Sequence, residues 1–435
     1  MLRKRLQLGL IHVAVAMTLV PINSTLNRVM IKELAVSATL VALLASLPYL
    51  FAPVQVAIGS FSDRNPVLGF RRSPYILLGL ALCVLGLVLS PSAAFRLAEG
   101  SPLGVLLGVL AFGAWGTGYN LSTVSYLSLA SEVSGDQGRG RTVAIMWFMM
   151  ITSIILTAIG LSQMVDPYTP AALVRAFWVV GGAALLLGVL GLLGLERRSA
   201  PLAQSADAHS WSHLLRFVFS NRQARVFFVY LVILLAALLG QDILLEPFGG
   251  EAFGLSVKQT TRITSIWGVC VLVALLAAGL MEGRVSKRRV ANTGGWGALL
   301  GFALIAASGV LLDRSVFYAG VVLLGVGTGL STVSNLSLML DMTTHAQVGL
   351  YIGAWGMANA VSRLLGSVIG GAVRDLVGRL AGDPVTGYIF VFVIMAAILL
   401  VSLLMLRSID VSAFRSQAGS DLSVMERAVI AGDAG

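Results

Sequence analysis

Residues 121–129 read LSTVSYLSL and residues 330–338 read LSTVSNLSL, so one phrase occurs twice in the chain. The two copies differ only where Tyr126 becomes Asn335, and they start 209 residues apart (330 minus 121). Weaker similarity continues on both sides of each copy at the same offset. A repeat at about half the chain length predicts two related halves instead of an array of short repeats.

The composition indicates the environment in which the two halves fold. Of the 435 residues, 57% are hydrophobic and 11% are charged, and the mean hydropathy is +0.89. Soluble proteins carry about 25% charged residues. This chain has more apolar surface than a water-exposed fold can bury, so the composition predicts an all-α integral membrane protein in contact with the lipid bilayer.

Twelve apolar runs have roughly the length of a membrane span. They lie near residues 7–31, 37–59, 74–95, 102–131, 142–165, 172–195, 225–247, 262–282, 291–312, 316–340, 346–372 and 385–406. The sequence therefore predicts twelve transmembrane helices in two pseudo-symmetric six-helix bundles, at residues 1–195 and 225–406. Residues 196–224 form a linker, either with a helix lying in the membrane interface or as a simple tether, and residues 407–435 form a tail.

The positive charges predict the orientation in the membrane. The net charge is +10, and most of the 30 Lys and Arg residues lie at the N-terminus, in the tail and in the loops on the same side as both termini. By the positive-inside rule, both termini are expected in the cytoplasm. The surplus of cations is thus explained by topology, and no nucleic-acid partner is expected.

The loop after the second predicted helix carries Gly59, Asp63, Arg64 and then the residues GFRRSP at 69–74. This order resembles the cytoplasmic signature of the major facilitator superfamily, in which an Asp and an Arg hold the cytoplasmic side shut. The resemblance implies a major facilitator-type fold and a cytoplasmic gate of Asp63 and Arg64, with Glu132 at the end of the fourth helix as the partner of Arg64. Arg71 and Arg72 are interpreted as ordinary topology charges.

Charged groups inside spans are costly unless they are paired or face water. Arg28 follows Asn27 in the first predicted helix, Asp242 and Glu246 lie four residues apart in the seventh, and Arg363 lies in the eleventh. We predict that Arg28 or Arg363 pairs with Asp242 or Glu246 across the pseudo-symmetry axis, at an extracytoplasmic gate or cavity. The alternative is that Arg28 and Glu246 reach the interface separately.

The span interiors are otherwise Leu, Val, Ala, Gly, Ser and Thr, with no Asp or Glu at the middle of the first six helices. A sugar or amino-acid cargo would need more polar groups, so the pattern favours a large apolar cargo or a lateral partner helix. No nucleophile and base pair, phosphate loop or metal-binding spacing is found. The protein is therefore not expected to be an enzyme or to hold a metal or covalent cofactor.

Four segments resemble the PucC and LhaA family of phototrophic bacteria. They are TLNRVMIKEL at 25–34, the loop at 61–74, GQDILLEPFGG at 240–250, and the stretch from Arg363 to the residues LGSVIGGAVRD at 365–375. The resemblance implies an inner-membrane protein that assists assembly of light-harvesting antenna complexes. Its implied partners are bacteriochlorophyll, as cargo, and antenna polypeptides.

Bacteriochlorophyll magnesium takes an axial ligand, for which imidazole is a suitable donor. His12 is the one His within a predicted span, where helix packing is the alternative role. Many family members carry His where this chain has Asn120, whose amide could still ligate the metal or bond a ring carbonyl. A secondary transporter of a lipophilic or amphipathic solute, or a purely structural chaperone, remain the rival interpretations.

Overall fold

The computed structural model of the protein describes residues 2–50, 61–62, 64–196, 198, 222–281, 284–341 and 348–408. Asp63, most of the predicted linker and the tail beyond residue 408 lie outside the described residues. The predicted division of the chain at residues 195 and 225, and the interfacial helix between the halves, therefore stay predictions.

A helix is found at each of the twelve positions where the sequence predicts a span. We number them α1 (Leu2–Glu33), α2 (Ala38–Ala45), α3 (Ser73–Ala98), α4 (Pro102–Ser134), α5 (Arg141–Met164), α6 (Pro170–Leu192), α7 (Arg222–Gly240), α8 (Val257–Leu280), α9 (Lys287–Leu311), α10 (Arg314–Asp341), α11 (Val348–Ala381) and α12 (Pro384–Leu406). The short helix Leu47–Leu50 continues α2, and Leu245–Phe253 continues α7 after a bend of 41°.

In the described part of the chain, nine helices are long and apolar enough to cross a membrane, or ten if the bent pair is one span. Of the other two, α2 is described only as far as residue 50, and α11 carries four charged residues. The structure differs from the sequence prediction between α4 and α5, where the backbone runs as one continuous helix, Pro102–Met164, through the predicted loop. The protein is thus a multi-pass membrane protein built from helices.

Several spans begin with the same local signal, a capping side chain followed by proline. Ser101, Thr169 and Asp383 each accept a hydrogen bond from a backbone N–H in the first turn of α4, α6 and α12. Proline follows each of them at a position where its missing N–H would have had no partner in the helix. These signals set where the chain turns back into the bilayer.

The repeated phrase lies where two helices cross at close range. In the N-terminal half, a Cβ added to Gly79 of α3 would lie 2.5 Å from Oγ of Ser122 on α4. In the C-terminal half, a Cβ added to Gly294 of α9 would lie 2.7 Å from the amide nitrogen of Ser331 on α10. Ser122 and Ser331 are the same position of the repeat, so the phrase provides the small residues for equivalent helix crossings.

The two halves pack against each other through two pairs of helices. α2 lies against α11, and α5 lies against α8, where Ser265 Oγ donates to the backbone carbonyl of Ile155 at 3.5 Å. α1 and α7 pass between these pairs. This arrangement leaves a central space between the halves, which contains the candidate site.

Candidate functional site

The first element of the site is an irregular stretch of α1. Pro21 removes one backbone donor from the helix, and the residues Pro21–Leu26 and Val29–Glu33 adopt π-helical turns. Such turns widen a helix locally and are frequent at functional sites. In α1 they bring Ser24, Thr25 and Arg28 to face the C-terminal half, and all three side chains are buried.

The second element is the break in α7. The helix stops at Gly240, the chain turns through residues 241–244, and the helix resumes at Leu245. Broken membrane helices present polar groups to a cavity because their unwound backbone is tolerated only where protein or water surrounds it. Asp242 lies within this break, and Glu246 lies in the first turn of the helix that follows it.

A cavity of about 210 Å³ lies between the halves at these two elements. Its walls come from α1, α2, α4 and α5 on one side and from α7, α8 and α11 on the other. They are formed by Leu19, Val20, Asn23, Ser24, Tyr49, Tyr119, Ile154, Gln241, Asp242, Leu245, Glu246, Thr264, Trp267 and Arg363. The N-terminal half adds no carboxylate to this wall, as its sequence predicts. Both cavity carboxylates come from α7.

Arg363 and Asp242 form an ion pair at the cavity wall, with Nη1 of Arg363 2.7 Å from Oδ2 of Asp242. The side-chain amide nitrogen of Gln241, Nε2, donates to the other carboxylate oxygen of Asp242 at 2.9 Å. The pairing of Arg363 with Asp242 is therefore found, but the prediction that such a pair crosses the pseudo-symmetry axis is wrong, because both residues belong to the C-terminal half. Arg363 reaches the other half through a cation–π contact, since its guanidinium lies 5.6 Å from the ring centroid of Tyr49.

Glu246 contacts hydroxyl groups instead of a cation. Ser24 of α1 and Thr264 of α8 both donate to its Oε1, and its Oε2 has no hydrogen-bond partner in the described part of the chain. Thr25 and Thr261 form a second hydroxyl contact between the halves, at 3.1 Å. Glu246 therefore joins the halves through neutral donors.

Arg28 pairs with neither predicted carboxylate. Its Nη1 lies 2.8 Å from Oε1 of Glu33, and its Nη2 donates to the backbone carbonyl of Leu255 at 3.1 Å. The prediction of a pair with Asp242 or Glu246 is wrong for Arg28, because the π-helical turns direct its side chain along α1 toward Glu33. Asn27 donates to the carbonyl of Asn23 one turn earlier, at 3.0 Å.

On the predicted extracytoplasmic side, the halves are joined by ion pairs that the sequence analysis missed. Lys32 of α1 lies 2.9 Å from Glu251, which also lies 3.8 Å from Arg374 of α11. The neighbouring Asp375 accepts hydrogen bonds from the backbone N–H groups of Ala38 and Thr39, at 3.1 and 2.8 Å. It therefore caps α2 from the opposite half. The only sequence signal was that these charges lie at the outer ends of predicted spans.

The two ends of the molecule differ in how their polar contacts are distributed. Many polar contacts between the halves lie at the cavity or on the predicted extracytoplasmic side. They include the ion pair of Lys258 with Asp166 at 2.7 Å. The structure is thus closed on that side.

On the predicted cytoplasmic side, Glu132 pairs with Arg71 and Arg72, at 3.2 and 3.1 Å. Among the described residues, the ion-pair partners of Glu132 are these two arginines, so the predicted contact of Arg64 with Glu132 is wrong. Because α3 begins at Ser73, the two arginines before it lie beside the end of α4. Asp63 lies outside the described residues, and its gate role stays a prediction.

Glu196, at the end of α6, completes this cluster. Its carboxylate accepts hydrogen bonds from the backbone N–H groups of Arg71, Arg72 and Ser73, at 2.8, 2.9 and 2.7 Å. A carboxylate is favourable at the N-terminus of a helix, here α3. Arg71 and Arg72, which were predicted to be ordinary topology charges, therefore join this loop to the ends of α4 and α6.

The two candidate pigment ligands lie apart from the cavity. His12 is buried, with its ring centroid 5.0 Å from that of Tyr126 and 6.4 Å from that of Trp147. Its Nδ1 has no hydrogen-bond partner among the described groups. Asn120 is buried and donates to the carbonyl of Pro48 at 2.8 Å, so its amide joins α4 to the end of α2. Ligation by either residue stays a prediction.

Comparison with known proteins identifies the family. The family model described as "PUCC protein" matches residues 25–414. Protein PucC of Cereibacter sphaeroides is 32% identical over 423 residues, covering 93% of this chain and 91% of the relative. A protein of Rhodobacter capsulatus named "Bacteriochlorophyll synthase 44.5 kDa chain" is 30% identical over 411 residues, covering 92% and 93%.

Solved structures that match include transporters of low sequence identity. The nucleoside transporter NupG superposes with a TM-score of 0.69 at 16% identity, over 93% of this chain and 98% of its own. A bacterial homologue of the lysosomal transporter Spinster gives 0.71 at 12% identity, over 97% and 98%. These likenesses establish the predicted major facilitator-type fold, and the sequence matches show that the chain belongs to the PUCC protein family.

Proposed function

We propose that this protein assists assembly of light-harvesting antenna complexes in a phototrophic bacterium, by binding bacteriochlorophyll, antenna polypeptides or both within the membrane. The observation that carries the proposal is the family match, which extends over residues 25–414 and so includes both halves. The name of the Rhodobacter capsulatus relative, a bacteriochlorophyll synthase chain, supports a link to the pigment. No catalytic activity is proposed.

The size of the central cavity supports binding at the outer surface of the bundle. Its volume of about 210 Å³ is below the range of about 300–1,000 Å³ that is typical of sites for drug-sized ligands. A bacteriochlorophyll, with its macrocycle and long hydrocarbon tail, is larger than such ligands. In this conformation, the pigment would therefore have to bind elsewhere on the protein.

An apolar groove of about 290 Å³ lies between α7, α11 and α12. Its walls contain only apolar residues and glycine, among them Val232, Leu365 and Ile369. α7 and α11 approach each other closely at Ala236 and Gly366, which both line the groove. Such a surface suits a hydrocarbon tail or a second transmembrane helix, because small residues allow close contact without polar groups.

The test is to purify the full-length protein in mild detergent from pigmented membranes, record its absorption spectrum and identify the polypeptides that copurify. We expect near-stoichiometric bacteriochlorophyll, antenna polypeptides or both. If His12 ligates the pigment, His12→Phe will lose absorbance while Asn120→Ser, which removes a packing contact, will retain it. A colourless preparation without antenna polypeptides would refute the proposal.

The second candidate function is secondary transport of a lipophilic or amphipathic solute. It is favoured by one observation, namely that a broken helix places charged groups in a cavity that both halves share and that is closed on one side. In this case each single charge reversal, Asp242→Arg or Arg363→Asp, should abolish uptake into vesicles, and the double reversal should restore part of it. Failure of the double reversal would argue against a transport role for the pair.

The same proposal places the protein in the bacterial inner membrane with both termini in the cytoplasm. The support is the distribution of Lys and Arg, which are most frequent at the termini and in the loops on their side. The test uses a reporter protein that is active only in the cytoplasm. Fused after Arg407, this reporter should be active. A reporter fused at Glu99, in the loop between α3 and α4, should be inactive, and the reverse result would refute this orientation.

A further inference from the structure

The central cavity contains an excess of negative charge. Two carboxylates, Asp242 and Glu246, and one guanidinium, Arg363, line its wall. Arg363 is already paired with Asp242 at 2.7 Å. The ionised form of Glu246 would thus leave one negative charge without a cationic partner in contact, and buried charges are costly unless they are paired.

Arg28, which does not line the cavity, also interacts electrostatically with Glu246. Its guanidinium is held elsewhere, since it lies 2.8 Å from Glu33 and donates to the Leu255 carbonyl. The direct contacts of Glu246 are two hydroxyl groups, from Ser24 and Thr264. The charge that would complete the site must therefore come from outside the described residues.

Polar atoms without partners converge at the same place. Glu246 is 3% exposed and Gln241 is 2% exposed. Oε2 of Glu246 and Oε1 of Gln241 have no hydrogen-bond partner among the groups that the structure describes, and neither has Nε1 of Trp267. All three residues line the cavity. Two acceptors that lack donors indicate a ligand that carries N–H or O–H groups.

The arrangement of the oxygens argues against a metal ion. Ser24 Oγ and Thr264 Oγ1 both donate hydrogen bonds to Glu246 Oε1, and the two hydroxyl oxygens lie 3.3 Å apart. Oxygens that surround a cation turn their lone pairs toward it and lie about 2.3–2.6 Å from a Ca²⁺ ion, for example, instead of donating to each other. The described residues also contain no cluster of three metal-ligating side chains.

We propose that the central cavity binds a small organic ammonium ion with a short apolar body, whose N–H groups bond to Glu246 and Gln241. The rings of Tyr119 and Trp267 form part of the wall, and aromatic faces attract such cations. Leu19, Val20 and Ile154 provide an apolar surface for the body of the ligand. The site is independent of the pigment-binding role, because the cavity is too small for the macrocycle.

The proposal can be tested with n-butylammonium, butanol and butyrate, which share an apolar body and differ in head group. The protein is produced in a host without bacteriochlorophyll, so the outcome does not depend on the pigment. Tryptophan fluorescence follows both binding and thermal unfolding. We expect butylammonium to raise the melting temperature in a saturable manner, as a ligand of the folded state does, and butanol and butyrate to have no saturable effect.

The key variant is Glu246→Gln, which removes the charge but retains an oxygen that accepts the bonds from Ser24 and Thr264. It should weaken butylammonium binding by about tenfold or more, since a charge-assisted bond is lost. The matched control is Glu99→Gln, which removes a carboxylate that is 58% exposed at the loop before α4. It should leave binding unchanged.

Three results would overturn the proposal. One is an equal shift by all three compounds, which would indicate a general effect of the apolar chain. Another is unchanged butylammonium binding in Glu246→Gln. The third is a melting temperature that depends on pH through Glu246 but not on butylammonium, which would make the cation a proton.

Discussion

Replacing Asp375 by alanine should open the predicted extracytoplasmic side of the protein. Asp375 lies on α11 in the C-terminal half, yet its carboxylate accepts hydrogen bonds from Ala38 N, Thr39 N and Thr39 Oγ1 in the N-terminal half, at 3.1, 2.8 and 2.7 Å. All three bonds exist only while the halves are together on this side. The substitution removes them without touching the cavity.

The expected change in the equilibrium between closed and open protein follows from these contacts. Loss of a helix N-cap costs about 0.5–2 kcal/mol, and a hydrogen bond to a charged group contributes about 1.5–3 kcal/mol. Because the cap and the bonds are the same interaction counted in two ways, we take a total of about 3 kcal/mol for the contact with α2. A change of about 1.4 kcal/mol is a tenfold change in an equilibrium constant, so the ratio of closed to open protein should fall roughly a hundredfold.

The assay is a distance distribution between two spin labels, measured by pulsed electron paramagnetic resonance. Glu99 and Ser315 are exposed, lie on this side of the membrane and belong to different halves, and cysteines at these positions can carry the labels. Cys83 and Cys270 are first replaced by alanine. We expect one short distance in the parent protein and a second, longer distance with a large population in Asp375→Ala.

Asp383 provides a matched control. It accepts the same set of bonds, from Val385 N, Thr386 N and Thr386 Oγ1 at 3.1, 2.9 and 2.8 Å, but caps α12 in its own half. Asp383→Ala should lower thermal stability and leave the label distance unchanged. If both variants give the parent distribution, or the same altered one, Asp375 does not hold the halves together.

Three further predictions concern packing, the cytoplasmic cluster and pH. A Cβ at Gly366 would lie 2.4 Å from the Ala236 carbonyl oxygen, so Gly366→Ala should lower the free energy of unfolding by about 1–3 kcal/mol, whereas Gly356→Ala, with open space around it, should not. Arg72→Ala removes the contacts with Glu132 and Ser62 and should lower the free energy of unfolding by about 1–2 kcal/mol, a modest loss because Glu132 is partly exposed. Arg64→Ala should change the free energy of unfolding by less than about 0.5 kcal/mol. Equal losses in the two variants would contradict the assignment of Arg72 as the partner of Glu132. Burial raises the pKa of Asp383, but hydrogen bonds from Thr386 and Val385 lower it more, so that its pKa lies below the usual carboxyl range. Its stabilising effect is therefore present at neutral pH and lost as the pH falls through the lowered pKa, and this acid-dependent loss should be absent from melting curves of Asp383→Asn.

The fold was predictable because the sequence repeats its signals along the chain. Each span shows an apolar run bounded by polar residues, and the repeated phrase marks the helix crossings where Ser122 and Ser331 approach their neighbours. The break in α7 was not predicted, since the apolar residues continue through positions 243–245 and mask it. Gly240 and Pro247 were the available signals, because glycine and proline weaken helices.

The charged site residues were predictable one by one, but their partners were not. A charge in an apolar span is conspicuous, which is why Asp242, Glu246 and Arg363 were found. The contact of Asp375 with Ala38 joins residues 337 positions apart, and no spacing in the sequence relates them. Arg64 was chosen over Arg72 because it matched a motif, whereas the structure depends on which arginine directly precedes α3.

The contacts that are hardest to predict from sequence are those that would have to break if the two halves separated at the cavity. Glu246 joins the halves through the hydroxyl group of Ser24, and Thr25 meets Thr261 across the same boundary. Hydroxyl groups such as those of Ser24, Thr25 and Thr261 leave no charge pattern in a sequence that is rich in Ser and Thr for packing. Water can replace each of them when the halves separate, at a cost far below that of parting a buried ion pair. The strong pair, Arg363 with Asp242, stays within one half, so the halves could separate at the cavity without breaking it.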